Sequence, residues 1–308
     1  MWANRMVHEA GMHESEGGSC FITLTYRDKA AATTHEKRRG YYIPDDWSLS
    51  KPTLDQDGRQ RGSHVQKFVK RLRKAIRKED QDIAKAAGTE PQYRRIKFYH
   101  CGEYGKYCIH RLDTEQKQCP QCNVGRPHYH MIIFGYRFRD LEPYQSKFDG
   151  TARYTSNKLE KLWRYGFVDV GDVTVQSAGY VARYTMKKIT GEAAKEHYTR
   201  ILDDGQMITL EPEYSSQSNG IGYDWLNKYY GDFYPTDETP VLGENKVIKG
   251  TPRYYMEKLK AKDPVTYCRI KASRETHLEE NASEYTPERL MAKYKVKKAK
   301  IKHLERNL

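Results

Sequence analysis

The chain has 308 residues, no long apolar run and a mean hydropathy of −0.94. A helix needs roughly 20 predominantly apolar residues to cross a bilayer, so no membrane span is expected. The first residues, MWANRMVHEAGMH, lack the basic-then-apolar order of an export signal, and the expectation is a soluble chain in a reducing cytoplasm. Internal repeats are missing, which excludes solenoids and propellers. Cysteine is scarce: four of the six, Cys101, Cys108, Cys119 and Cys122, cluster within 22 positions, and Cys20 and Cys268 stand apart. Without an export signal, such a cluster reads as a metal site before a disulfide framework. Acid is also in deficit, 41 Asp+Glu against 54 Lys+Arg, giving a net charge of +13. That excess suits a polyanionic partner, nucleic acid first and an anionic membrane second.

Helix is expected over residues 1–13, with Trp2, Met6 and Ala10 on one side. CFITLTY (Cys20 to Tyr26) is β-rich and places Thr23 and Thr25 opposite Ile22 and Leu24. Residues 27–61 are polar, contain Gly and Pro, and read as a long loop. HVQKFVKRLRKAIRK (His64 to Lys78) is the clearest helix: Val65, Phe68, Leu72, Ala75 and Ile76 form an apolar stripe. Its other positions carry Lys67, Lys70, Arg71, Arg73, Lys74, Arg77 and Lys78 with no acid. One side packs, and the basic side is available to DNA phosphates. Strands follow at RRIKFYHC (Arg94 to Cys101) and RPHYHMIIFG (Arg126 to Gly135), then a helix over Ser156 to Gly166 and a β segment over Phe167 to Val175. A helix over Ser177 to Ile189 has Ser177 as its expected N-cap. After about residue 195 the chain turns rich in Gly, Pro, Ser and Asp. Its last 20 residues carry eight Lys/Arg and one Glu, a basic helix or tail suited to nucleic acid.

Two features carry chemistry. In RPHYHMIIFG, His128 and His130 are i and i+2 on a strand, so they share a face with Cα atoms about 6.5–7 Å apart. Two imidazoles on one rigid strand can share a divalent metal, although a bare H-x-H is more often a buried pair. Between Gly105 and Arg126, Cys119-Pro-Gln-Cys122 forms a knuckle that brings two thiolates to one ion. Cys108 and His110 are the expected second pair, with Cys101 the alternative to His110, for a structural Cys₃His zinc site in an insertion over 106–125.

FITLTY, GEYG (Gly102 to Gly105), RPHYHMIIFG and YVARYTMKK (Tyr180 to Lys188) occur in that order. The ordered set resembles the HUH endonucleases, specifically the rolling-circle replication initiators of microviruses and their gokushovirus branch. NGIGYDWLNKYYGDFYP (Asn219 to Pro235) and TPRYYMEKL (Thr251 to Leu259) are similar to downstream landmarks of that group, so the resemblance spans about residues 2–260. It implies an α+β fold with a five-stranded antiparallel palm-like sheet flanked by helices. It also implies an endonuclease domain over 1–195 and a C-terminal accessory region with a basic tail over 196–308.

The resemblance further implies that Glu103, His128 and His130 bind Mg²⁺ or Mn²⁺ and that Tyr180 and Tyr184 are nucleophiles. Lys187 and Lys188 would offset phosphate charge, and Thr23, Thr25, Arg126 and Arg183 would join the basic helix in contacting DNA. The implied reaction nicks the viral strand at the origin, forms a 5′-phosphotyrosine link and rejoins the strand to release circular single-stranded DNA. Implied partners are phage origin DNA, single-stranded and replicative-form duplex, with host helicase and polymerase, in the host bacterium's cytoplasm and with no membrane. Tyr230 and Tyr234 repeat the tyrosine spacing, but Gly231 and Pro235 interrupt that pair. Alternatives are a transposase- or relaxase-type strand transferase, or a non-catalytic zinc-containing nucleic-acid binding protein. Transposases of that type usually have one tyrosine, and relaxases add a third histidine with tyrosines near the N-terminus. Neither order fits. A histidine-based RNA phosphoesterase would need no metal.

Overall fold

A computed structural model describes residues 2–44, 48–50, 53–54, 60–105, 125–145, 152–183, 188–202, 204–234, 236–242 and 246–304. The chain forms two compact units, Met1–Lys228 with Val241–Lys246, and Tyr229–Pro240 with Val247–Leu308. Among the described residues no helix is long and apolar enough to cross a membrane.

The first unit begins with α1 (Trp2–Gly11), β1 (Ser19–Thr25), α2 (Thr34–Arg39) and a short hairpin of β2 (Thr53–Leu54) and β3 (Gln60–Arg61). Then come α3 (His64–Ala87), β4 (Lys97–Tyr104), β5 (Pro127–Phe134), β6 (Leu141–Gln145), β7 (Ala152–Ser156) and α4 (Asn157–Trp163). It continues through β8 (Val168–Gly171), α5 (Val175–Arg183), α6 (Glu192–His197), β9 (Thr199–Ile201), β10 (Met207–Thr209), β11 (Tyr214–Gln217) and α7 (Tyr223–Lys228). Seven strands build one antiparallel sheet in the order β11-β4-β5-β1-β8-β7-β6, two more than the five expected. The additions were hard to read from sequence. LEPYQ of β6 is almost wholly exposed, and β11 is a short polar edge strand, so neither alternates apolar with polar residues.

Strand alternation gives the sheet two covered faces. On one, Ile22 and Leu24 of β1 and Tyr129, Met131 and Ile133 of β5 cluster with Val65, Phe68, Leu72 and Ile76 of α3 and Leu159 and Trp163 of α4. Full burial of Phe68 or Leu72 contributes about 1.5–3 kcal/mol. On the other, Tyr99 and Cys101 of β4 and Ile132 and Phe134 of β5 meet Met6 and Val7 of α1 and Ala178 and Val181 of α5. His128 and His130 share the parity of Ile132 and Phe134, so they belong to this second face.

Local chemistry sets the ends of these elements. Ser63 and Gln66 form a capping box that starts α3, and Gly88, with φ 66°, receives its last carbonyls. The helix runs nine residues past the expected end at Lys78, because Asp80 takes the next place on its packed face. That carboxylate is buried but accepts from Arg94 Nε at 2.5 Å and from Arg94 N at 2.9 Å, so a charge breaks the apolar stripe without breaking the helix. α2 lies within the expected loop and buries nothing, so only its Thr33–Glu36 capping box marks it. α5 starts earlier than expected: Thr174 and Ser177 exchange side-chain-to-backbone bonds (3.1 and 2.8 Å), making Thr174 the cap and Ser177 its N3 partner. Gly166 is required by close approach, since a Cβ there would collide with the Thr25 carbonyl oxygen.

Residues 196–228 pack into this first unit. β11 pairs with β4, and α7 meets α1, where His8 and Trp225 stack at 3.6 Å and Gly222 N donates to Glu9 at 2.6 Å. The second unit holds α8 (Tyr230–Phe233), β12 (Glu238–Val241) paired with β13 (Lys246–Lys249), α9 (Arg253–Lys262), α10 (Pro264–Glu280) and α11 (Pro287–Leu304). The basic tail is therefore helical over α11, and it is exposed along its described length.

Candidate active site

Register brings the site together. β4 pairs with β5 so that Glu103 lies opposite His128 and Cys101 opposite His130, and β1 sets Thr23 opposite His130. Same-face residues directly opposite one another have Cβ atoms about 4.5–5.5 Å apart, close enough for their polar ends to meet. His128 Nε2 lies 2.7 Å from Glu103 Oε1, and His130 Nε2 lies 3.1 Å from the same oxygen. The three ligand-capable atoms fall within 4.8 Å of one another. Glu103 and His130 are buried, while His128 is half-buried and forms the open side.

Outer contacts fix which nitrogens face inward. His128 Nδ1 donates to the Arg126 carbonyl oxygen at 3.1 Å, because a carbonyl can only accept. In a neutral ring its Nε2 then carries the lone pair, and that lone pair faces a carboxylate oxygen at 2.7 Å. Two acceptors at that separation require a proton or a cation between them. His130 Nδ1 is held by Thr23 Oγ1 at 3.0 Å, which leaves Nε2 for the centre. Burial alone would raise the Glu103 carboxyl, but hydrogen bonds and charge from the two histidines outweigh it and hold it at about 2. An ionised carboxylate with two converging imidazole nitrogens is a fitting donor set for a divalent first-row ion. Such an ion, bound at about 2.1 Å, separates neighbouring ligand atoms by about 3 Å.

An aromatic wall completes the site. The Phe21 ring stacks on His130 (5.7 Å, 9°), and Tyr180 of α5 stands edge-on to both. Its hydroxyl is 3.4 Å from His130 Nε2. Tyr184 and Lys187 lie outside the described residues, as do Cys108, His110, Cys119 and Cys122. Lys188 is exposed and Arg183 half-buried at the end of α5.

The other expected contacts divide. Thr25 Oγ1 donates to the Phe167 carbonyl (3.1 Å), and Arg126 reaches the Tyr26 carbonyl (3.1 Å) and Asp28 (2.6 Å). Arg71 is anchored inside the fold, donating to the Leu162 and Trp163 carbonyls at the end of α4 (2.7 and 3.2 Å). Lys67, Lys70, Arg73, Lys74, Arg77 and Lys78 are exposed on α3, which covers the sheet face opposite the Glu103–His128–His130 cluster. Tyr234 is buried in the second unit with its hydroxyl on the Tyr255 carbonyl at 2.7 Å, and Tyr230 reaches Asp263 at 3.5 Å.

One residue beside the site escaped the sequence reading. Asp169 on β8 lies opposite Thr23, in the same cross-strand row as His130. Burial pushes its carboxyl up to about 6, one buried oxygen has no partner, and the other is 3.4 Å from Arg153 Nη1. Its only signal in the sequence is an acid at the centre of the apolar-alternating FVDV.

A family of phage replication-associated proteins, described by its ORF2 members, matches residues 52–189, the span holding β4, β5 and α5. Replication-associated protein ORF4 of Chlamydia phage 1 is 30% identical over 234 residues, 74% of this chain and 47% of that protein. This chain is a relative of phage replication-associated proteins. VP4 of Bdellovibrio phage phiMH2K is 26% identical over 85% of this chain and 63% of its own length. ORF2 of Spiroplasma virus 4 is 26% identical over 76% and 56% respectively. The kinship expected from the ordered motifs therefore holds, and the chain spans between about half and two thirds of these relatives. No solved structure matches it.

Proposed function

We propose that this protein initiates rolling-circle replication by nicking single-stranded phage origin DNA with a tyrosine nucleophile. The observation that carries this reading is the Tyr180 hydroxyl, 3.4 Å from His130 Nε2 at the edge of a two-histidine, one-carboxylate cluster. Glu103, His128 and His130 would hold Mg²⁺ or Mn²⁺. When bound, the ion supplies positive charge that polarises the scissile phosphate and stabilises its transition state. A free phenol titrates near 10 and attacks poorly at neutral pH, so catalysis depends on activating the phosphate and orienting the ring. Phe21 and His130 supply that orientation for Tyr180. The phenolic oxygen forms a bond to phosphorus and loses its proton. The P–O3′ bond breaks and the 3′-oxygen takes up a proton, leaving a 5′-phosphotyrosine link and a free 3′-hydroxyl for a polymerase.

In the same reading Tyr184 is the second nucleophile, Lys187 and Lys188 neutralise the phosphate, and the sheet is the palm of an HUH endonuclease. Cys108, His110, Cys119 and Cys122 form a structural zinc site in the insertion. The protein works in the host cytoplasm on origin DNA, with the host helicase and polymerase. The test is incubation with Mn²⁺ and origin oligonucleotides: a covalent protein–DNA adduct that disappears on chelation is expected. Binding without cleavage or adduct would leave only a nucleic-acid binding protein.

A further inference from the structure

The most basic surface on the described part of the first unit lies on the far side of the sheet from the candidate active site. α3 packs against the face built from Ile22, Leu24, Tyr129, Met131 and Ile133, whereas His128 and His130 point out of the other face. Beside the C-terminal half of α3, the segment leading into β4 encloses a cleft of about 440 Å³. Arg73 and Arg77 of α3 line one wall, and Tyr93, Arg94 and Arg95 line the other.

The charge in this cleft is uncompensated. Its acid, Asp80, is taken by Arg94 through the side chain and the backbone, and neighbouring Glu79 is paired with Arg94 and Lys158. Arg73, Arg77 and Arg95 are exposed and form no ion pair among the described residues. The Arg77 guanidinium lies 4.6 Å from the Tyr93 ring centroid, and that of Arg73 lies 5.8 Å from the Phe98 ring. A guanidinium stacked on a ring keeps its edge N–H donors for a phosphate. Tyr93 is 45% exposed, and Gln81 Nε2 donates to its hydroxyl at 3.3 Å, which steadies the ring.

We infer that this cleft is a second nucleic-acid site, which holds single-stranded DNA by stacking a base on Tyr93 and pairing phosphates with Arg73, Arg77 and Arg95. Fixed aromatic rings interleaved with arginines suit unstacked bases, since every base has a π-face. A concave cleft of this volume is at the scale of a small-ligand pocket and does not admit a duplex. The site does not cut. From Arg95 to Glu103 the strand runs eight residues, roughly 26 Å at 3.3 Å each, and the two sites open on opposite faces. It retains single strand away from the scissile phosphate. That the bound polymer is DNA rests on the function proposed above.

The test is fluorescence anisotropy of the full chain with labelled oligothymidylate across salt concentrations. Tyr93→Ala should weaken binding about tenfold, given the usual loss of one aromatic–base stack. Replacing Arg73, Arg77 and Arg95 together with Gln should lower the salt slope by about 2, while Arg77→Lys keeps the slope and loses part of the affinity. Single-turnover adduct formation at saturating oligonucleotide should be unchanged in each, and thermal midpoints identify any variant that misfolds. Wild-type affinity and slope in folded Tyr93 and triple-arginine variants would overturn the inference. So would equal competition by duplex of the same length. If wild-type protein forms no adduct yet binding depends on Tyr93, the cleft stands and the proposed nicking activity falls.

Discussion

His130 is bound on both ring nitrogens: Thr23 Oγ1 lies 3.0 Å from Nδ1, and Glu103 Oε1 lies 3.1 Å from Nε2. The ring is therefore oriented by a residue two strands from β4, and its inward nitrogen is chosen by the outward one. If the cluster binds a divalent ion, Thr23→Val should lower Mn²⁺ affinity roughly 10- to 100-fold, the usual consequence of removing such a support. His128→Ala and Glu103→Gln should remove binding altogether while single-stranded DNA affinity persists. Calorimetric titration with Mn²⁺ reads the first effect and anisotropy the second. Unchanged Mn²⁺ affinity in folded Thr23→Val would reduce that hydroxyl to a packing role.

Asp169 gives a stability prediction with a definite sign. Its carboxyl lies at about 6 in the fold against an ordinary 3.8, because burial disfavours the charged form. The native state therefore binds the proton more tightly than the unfolded chain does. The stability this provides is present below about 3.8 and is lost as pH rises through about 6. Asp169→Asn should raise the thermal midpoint at pH 7.5 and leave it near the wild-type value at pH 4. A difference that does not change with pH would mean that the Arg153 contact, at 3.4 Å, matters more than the burial.

The histidine strand was legible because β5 alternates polar and apolar residues over its whole length, and so were β1 and the first half of α3. What failed was reading through charge and through exposure. Asp80 sits where an apolar residue was expected, so α3 was cut short. LEPYQ shows no alternation, because β6 has few buried side chains. Thr23 was correctly placed on the histidine face but was expected to touch DNA. In the fold its hydroxyl faces His130, a cross-strand pairing that register alone creates and sequence spacing does not encode. Arg71 looked like its basic neighbours on α3, and only the position of α4 distinguishes it.

The insertion carries its own test. A closed Cys₃His site built from Cys108, His110, Cys119 and Cys122 should retain about one zinc per chain through purification in reducing buffer. Cys119→Ser with Cys122→Ser should lose that zinc and leave the Mn²⁺ affinity of the histidine cluster unchanged. Freshly reduced, folded protein without zinc on elemental analysis would rule the site out.

The tyrosines test the proposed chemistry most directly. Ending a rolling circle needs a second strand transfer while the first 5′ end is still esterified to the protein, and an esterified phenol cannot attack. A neighbour must do so, and residues i and i+4 of a helix share a face about 6 Å apart along the axis. Tyr180 is already at His130, and Tyr184 follows it by four positions. The competing pair is poorly placed for this work, because Tyr234 is buried with its hydroxyl committed to the Tyr255 carbonyl. Tyr180→Phe and Tyr184→Phe should therefore each retain some adduct with a single-turnover origin oligonucleotide. Each should lose release of closed circles more severely than initial nicking, and the double change should give no adduct at all. Peptide mapping of wild-type adduct should find DNA only on residues 180 and 184. An adduct on Tyr230 or Tyr234, or any adduct from the double variant, would show that α5 does not supply the nucleophile.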